Sequence, residues 1–238
     1  MIHALAWTSI DRFGQQAVQF IIGVVLARLL SPSDYGLIGM LMIFIAVSSI
    51  MVDGGFGQAL IRKEKPTQID FSTIFWLNLF MSIVLYFSLF FSAPFIANFF
   101  HQPQLINISR LLFLSIIFFA LYFVQYVIIV KQVAYKSLAK VNISSTIISG
   151  GLGIYMAFTG FGVWALVAQQ LSYHLFRLVL FYIIRHWRPS FIFSFSIIKE
   201  YWSFSIHLLE TALLNVIFNN IYLVLIGKFY QELSFLKL

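Results

Sequence analysis

Long apolar runs bounded by charge, proline or glycine dominate this chain of 238 residues, and several reach the roughly 20 residues that an α-helix needs to cross a hydrocarbon core of about 30 Å. Seven spans are predicted, over 8 to 30, 37 to 60, 71 to 97, 105 to 130, 141 to 159, 162 to 184 and 204 to 226. The expected fold class is therefore all-α integral membrane, with about seven transmembrane helices. Ser31-Pro32-Ser33-Asp34-Tyr35-Gly36 separates the first two spans, because proline fixes φ and serine and aspartate can cap the helix that follows. Thr159-Gly160-Phe161-Gly162 is just long enough to reverse direction, which predicts a tight helical hairpin. From 185 to 203 the chain is too polar and too broken by Pro189 to span, yet too rich in Phe191, Phe193, Phe195, Tyr201 and Trp202 for a solvated linker. It is expected to lie along the membrane interface. The expected organisation is a six-helix unit over 1 to 184, an interfacial linker over 185 to 203 and the first helix of a further unit over 204 to 238.

Composition sharpens this picture. Hydrophobic residues make up 61% of the chain, charged residues 10%, and the mean hydropathy is +0.94, whereas soluble domains carry roughly a quarter charged residues. The absence of cysteine excludes a disulfide scaffold, a thiolate zinc site and a cysteine nucleophile. The opening residues lack a basic stretch followed by a small-residue cleavage site, so no removable signal peptide is expected. A net charge of +7 could suggest nucleic acid, but the cations sit in short clusters between spans and form no stripe on a soluble face. Arg62, Lys63, Lys65, Lys131, Lys136, Lys140, Arg185, Arg188 and Lys199 fall in alternate loops, nine cations against only Arg28 and Arg110 in the others. The excess of lysine and arginine in cytoplasmic loops then predicts a cytoplasmic N-terminus.

Polar side chains within a span cost several kcal/mol unless they face a bundle interior or a wet cavity, which makes each a candidate. Arg12, Gln15, Gln16 and Gln19 share one face of the first span. Interfacial snorkelling competes with a cavity role for Asp11 and Arg12, while Gln15 and Gln19 lie deeper and are expected to line a path. Asp53, followed by Gly54, Gly55 and Gly57, sits roughly 13 Å of helical rise from Arg62. It could take a proton or a cation, or it could pair with a neighbouring arginine or cap a locally opened helix. Gln170, Tyr173, His174 and Arg177 share a face of the sixth span, with Arg177 about two turns from Arg185. His207, Thr211, Asn215 and Asn219 recur at steps of four in the seventh, beside Glu210. Ser145, Ser149, Gly153 and Ala157 place a small residue at every fourth position of the fifth span, a packing pattern and not a chemical one. No His-x-x-x-His pair, carboxylate cluster, glycine-rich phosphate loop or Gly-x-Ser-x-Gly elbow occurs. No catalytic residue, metal site or cofactor is expected.

Four stretches carry a resemblance: Leu26-Ala27-Arg28-Leu29-Leu30-Ser31-Pro32-Ser33-Asp34-Tyr35-Gly36, Asp53-Gly54-Gly55-Phe56-Gly57-Gln58-Ala59-Leu60-Ile61-Arg62-Lys63, Gly160-Phe161-Gly162-Val163-Trp164-Ala165-Leu166-Val167-Ala168-Gln169-Gln170, and Asn219-Asn220-Ile221-Tyr222 before Gly227-Lys228-Phe229-Tyr230. Together they resemble the polysaccharide transporter family of O-antigen and exopolysaccharide flippases (Wzx-like), within the superfamily of multidrug, oligosaccharidyl-lipid and polysaccharide exporters. The resemblance implies two six-helix lobes around a cavity that opens alternately to each side of a bacterial inner membrane, with an undecaprenyl-diphosphate-linked oligosaccharide as cargo. On that basis the N-terminal lobe and the first helix of the second are expected here. Arg12, Arg28 or Arg177 would attract diphosphate; Gln15, Gln19, Gln170, His207, Asn215 and Asn219 would meet sugar; Asp53 or Glu210 would couple transport to a proton or sodium gradient. Members of the family run to about twice this length, so a truncated copy, or a complementary second lobe supplied by another chain, is expected. Two alternatives stay open: a multidrug exporter of the same superfamily, whose cavity would be more apolar, and a membrane-embedded polysaccharide polymerase or ligase, which would need a long external loop.

Overall fold

The computed structural model describes residues 2–184 and 187–235, with side chains described for 7–184, 187–219 and 221; Arg185 and the side chains of the Gly227 to Tyr230 motif lie outside these. All regular structure among the described residues is helical. The elements are α1 (Ile2–Leu29), α2 (Pro32–Asp53), α3 (Phe56–Arg62), α4 (Gln68–Phe99), α5 (Leu105–Leu112), α6 (Leu114–Lys131), α7 (Tyr135–Phe158), α8 (Val163–Ile184) and α9 (Phe195–Phe235). Five stretches are long and apolar enough to cross a membrane: α2, α4, α5 with α6, α7 and α8. The protein is a multi-pass α-helical membrane protein. Helix α1 has the length of a span, but Asp11, Arg12 and its three glutamines dilute its apolar content.

Local chemistry sets the helix ends. Ser31 and Asp34 form a reciprocal capping box at the start of α2 with Pro32 in its first turn, and Thr67 with Asp70 does the same for α4. The run expected to be continuous over 37 to 60 is broken, because Gly54 and Gly55 both adopt left-handed φ, +56° and +78°, and α3 restarts at Phe56. The helix expected over 204 to 226 begins nearer, at Phe195, so only 187–194 are non-helical in the described part of the connector. There Phe191 and Phe195 are exposed, while Ile197 and Tyr201 in the first turns of α9 are buried.

Helix α7 lies between α1 and α8, and α9 runs against α2 and α3. The small-residue stripe of α7 works as expected: Ser145, Ser149, Gly153 and Ala157 are all buried. A Cβ on the adjacent Gly150 would lie 2.0 Å from the Ile22 side chain of α1, so the two backbones can approach only because side chains are missing there. A second apolar core joins Phe56 and Leu60 of α3, Phe75 of α4, Phe123 and Val127 of α6 and Tyr201 of α9.

The basic loops meet at one end of the bundle. The Lys131 ammonium donates to the Ile61 carbonyl at 2.8 Å and to that of Lys63, capping the end of α3. Lys63 Nζ lies 2.9 Å from Asp70 Oδ1 and 3.2 Å from Glu200, and Tyr201 Oη donates to Asp70 Oδ1 at 2.8 Å. The Asp70 hydrogen bond holds the Lys63 ammonium above the ordinary lysine range, with burial opposing it. Burial, then the same carboxylate, raises Tyr201. Both folded values lie above the unfolded ones, near 10 for tyrosine and 10.4 for lysine. Their contribution is therefore complete at lower pH and is lost only as pH rises through the folded values. The melting temperature of the purified protein is expected to be insensitive to these two groups from pH 6 to about 9 and to fall above about 10. A smaller alkaline fall in Tyr201→Phe than in the parent checks it; identical profiles would remove Tyr201 from the account.

Candidate functional site

Away from the basic end, α1, α7 and α8 leave a polar cavity of about 370 Å³ between them, lined by Gln19, Tyr35, Thr146, Ser149, Gln169, Gln170 and Tyr173 beside Gly23, Leu26 and Leu166. Glycine at position 23 and the small residues of α7 make the room. Thr146 Oγ1 and Ser149 Oγ donate back to carbonyls of their own helix, 2.8 Å to Asn142 and 3.2 Å to Thr146. The amides of Gln19, Gln169 and Gln170 bond no described side chain. Three amides with unfilled donors and acceptors, in a cavity with no charged lining residue, can recognise a ligand only through neutral hydrogen bonds of the kind hydroxyl groups make.

Nearer the basic end, Arg177 of α8 lies among rings. Its guanidinium carbon is 4.7 Å from the Tyr122 ring centroid, 5.4 Å from Tyr173 and 5.5 Å from Phe181. Nη1 donates to Tyr122 Oη at 3.2 Å, and His174 Nδ1 is 3.1 Å from the same hydroxyl. Arg177 makes no ion pair among the described residues, and its Nε is buried without a partner. Aromatic faces thus hold the cation, at about 0.5–2 kcal/mol per ring, and no described carboxylate neutralises it. The half-buried Tyr126 of α6 feels the charges of Arg177, Asp53 and Asp11 through space.

The sequence candidates divide accordingly. Gln19 and Gln170 meet in the cavity, with Arg177 one step away through Tyr173. Gln15 instead donates to Asp11 at 2.7 Å, and Asn142 donates to both Asp11 oxygens at 3.2 Å, tying α1 to α7. Asp53 Oδ1 accepts the Gly57 N–H at 3.0 Å, the helix-capping option left open by the sequence. Arg12 and Arg28 are exposed on α1. His207, Glu210, Asn215 and Asn219 are exposed on α9 and do not join the cavity. Sequence periodicity missed Tyr35, Gln169, Tyr122 and Tyr126. Gln169 alone carried a signal, as the neighbour of Gln170; the tyrosines are placed by helix packing.

Residues 25–235 match the polysaccharide biosynthesis protein family. The teichuronic acid biosynthesis protein TuaB of Bacillus subtilis (strain 168) is 29% identical over 94% of this chain and 47% of its own length. The succinoglycan biosynthesis transport protein ExoT of Rhizobium meliloti (strain 1021) is 23% identical over 94% and 46%. The lipopolysaccharide biosynthesis protein WzxC of Escherichia coli (strain K12) is 25% identical over 39% and 19%. The chain spans about half the length of the first two. No solved structure matches. A multi-pass helical bundle with a polar groove between α1, α7 and α8, matched over most of its length in this way, belongs to the polysaccharide biosynthesis protein family.

Proposed function

We propose that this chain forms a lobe of a carrier, not an enzyme, that moves an undecaprenyl-diphosphate-linked oligosaccharide across a bacterial inner membrane by alternating access, its N-terminus in the cytoplasm. One observation carries the reading: unfilled amides of Gln19, Gln169 and Gln170 line a polar groove between α1, α7 and α8, a step from an arginine that has no carboxylate partner among the described residues. Such groups are expensive in a membrane unless a polar ligand or water meets them. Sugar hydroxyls suit the amides, and a diphosphate suits Arg177. The transport named for ExoT supports the same assignment. Arg12, Arg28, Gln15, His207, Asn215 and Asn219 are proposed to line the remainder of the path, together with a complementary second lobe. Asp53, and after it Glu210, is proposed as the ion-coupling carboxylate.

Translocation of a fluorescent lipid-linked oligosaccharide in vesicles tests this, with the chain alone and with a complementary lobe. Gln19→Ala with Gln170→Ala is expected to lower transport at least about tenfold, since stranding hydrogen bonds to a polar ligand costs roughly 1–3 kcal/mol. Arg177→Lys should fall by a similar factor, because lysine keeps the charge but loses the planar stacking. Transport unchanged in both variants would remove the cavity from the path. Asp53→Asn should abolish response to an ion gradient while leaving the protein in the membrane.

A further inference from the structure

We propose that His174 is a further ligand-contacting residue, a hydrogen-bond donor to an anionic oxygen held at Arg177, and that Tyr122 makes it a donor by fixing which ring nitrogen carries the proton. His174 lies on α8 one turn from Gln170 of the polar groove and one turn from Arg177, so it stands between the groove and the cation. Its ring centroid is 6.1 Å from that of Tyr122, with 20° between the planes, and 5.4 Å from that of Tyr173, at 77°. Rings from α6 and α8 thereby set its plane. The inference deepens the carrier reading and rests on it only for the identity of the anion.

Donors and acceptors place the proton. Tyr122 is 1% exposed, and among the described residues its Oη has two polar neighbours, Arg177 Nη1 at 3.2 Å and His174 Nδ1 at 3.1 Å. A guanidinium is a donor only, so the phenol oxygen accepts from Arg177. Its own proton then has one acceptor within reach, the lone pair of His174 Nδ1. With the proton on Nδ1 instead, two donors would meet on the phenol oxygen and a buried O–H would have nothing to donate to, which is the costly state for a polar group. Nδ1 is therefore bare, and Nε2 carries the N–H. Nε2 bonds no described residue and is not among the buried unpartnered atoms. One hydroxyl on α6 thus organises two donors on α8, the Arg177 guanidinium and the His174 Nε2–H. With the other tautomer, Nε2 would offer a lone pair, which repels a phosphate oxygen that has no proton to give.

Ring nitrogens with and without a proton resonate far apart in nitrogen NMR, and of the five histidines His174 is the one whose signal is missing from His174→Gln. In the whole chain in lipid nanodiscs, at about pH 8, above the ordinary histidine range, the His174 proton is expected on Nε2. Tyr122→Phe, which keeps the ring and removes only the hydroxyl, should give a mixture of the two tautomers. A proton on Nδ1 in the parent, or an unchanged tautomer in Tyr122→Phe, would overturn the role of Tyr122; the parent alone decides where that variant fails to fold. Inorganic pyrophosphate, as the probe, should shift the Nε2–H signal of the parent where sodium chloride at equal ionic strength does not. By calorimetry, His174→Leu should weaken pyrophosphate binding at least about tenfold, the usual loss for a hydrogen bond to a charged group. His174→Gln, whose amide turns an oxygen to Tyr122 and N–H groups beyond it, should hold binding within about threefold. A parent signal that does not move, an equal response to sodium chloride, or equal losses in the two variants would overturn the contact. The tautomer is read without ligand and pyrophosphate binding without transport, so a failed translocation assay leaves both results standing, and the reverse.

Discussion

Asp70→Ala is expected to destabilise the folded protein by roughly 3–5 kcal/mol, the usual consequence of removing one partner from a buried ion pair. Four hydrogen bonds converge on this carboxylate: from Lys63 Nζ at 2.9 Å, from Tyr201 Oη at 2.8 Å, and from the Thr67 N–H and Oγ1 at 2.7 Å each. The substitution strands a buried tyrosine hydroxyl, removes the capping box of α4 and leaves Lys63 only Glu200 as a carboxylate partner, more than half exposed at 54%. For a protein of this size, about 3 kcal/mol corresponds to a fall in melting temperature of roughly 6–12 °C. Thermal unfolding in detergent measures it. Lys63→Met should cost less, because the other three donors remain on the carboxylate. A fall of less than about 2 °C for Asp70→Ala would mean that water, and not the protein, satisfies these groups in solution.

The second large effect belongs to Gly55. An alanine there must adopt φ near +78°, which costs about 1–2 kcal/mol for an L-residue, and its Cβ would meet the backbone carbonyl of Ser205, which cannot rotate away. Helix α9 has to move off α2, taking Leu208 and the Ser205 turn with it. Gly160→Ala is the internal comparison. Its φ is similar, +83°, but nothing lies within 4 Å of the added carbon, so only the backbone term remains. The loss of stability at Gly55 is expected to be at least about twice that at Gly160. Equal losses would show that α9 does not rest on this glycine.

Both effects concern contacts between segments far apart in the chain, which explains why periodicity could not supply them. Asp53 illustrates the limit from the other side. Its place before Gly54, Gly55 and Gly57 showed an acid next to a flexible run, and left titration and helix capping equally open. The structure shows it bonded to the Gly57 N–H, because two successive left-handed glycines turn the chain back toward the carboxylate. The α9 ladder shows the limit again: a spacing of four put His207, Thr211, Asn215 and Asn219 on one face but could not say what that face meets. Here it meets no other described helix.

What the sequence determined by itself follows from local and solvent-driven physics. Apolar run length against the thickness of a hydrocarbon core made the chain a helical membrane protein. The capping residues Ser31 and Asp34 set the start of α2, and the small-residue period of α7 marked a packing face. Each of those signals is complete within one helix. Tertiary structure alone decided which polar residues share a cavity, that Arg177 is held by aromatic rings, and that the loop cations Lys63 and Lys131 join α3 to its neighbours. Those outcomes depend on how helices rotate and cross, and that is fixed by the summed packing of many apolar side chains that look alike in sequence.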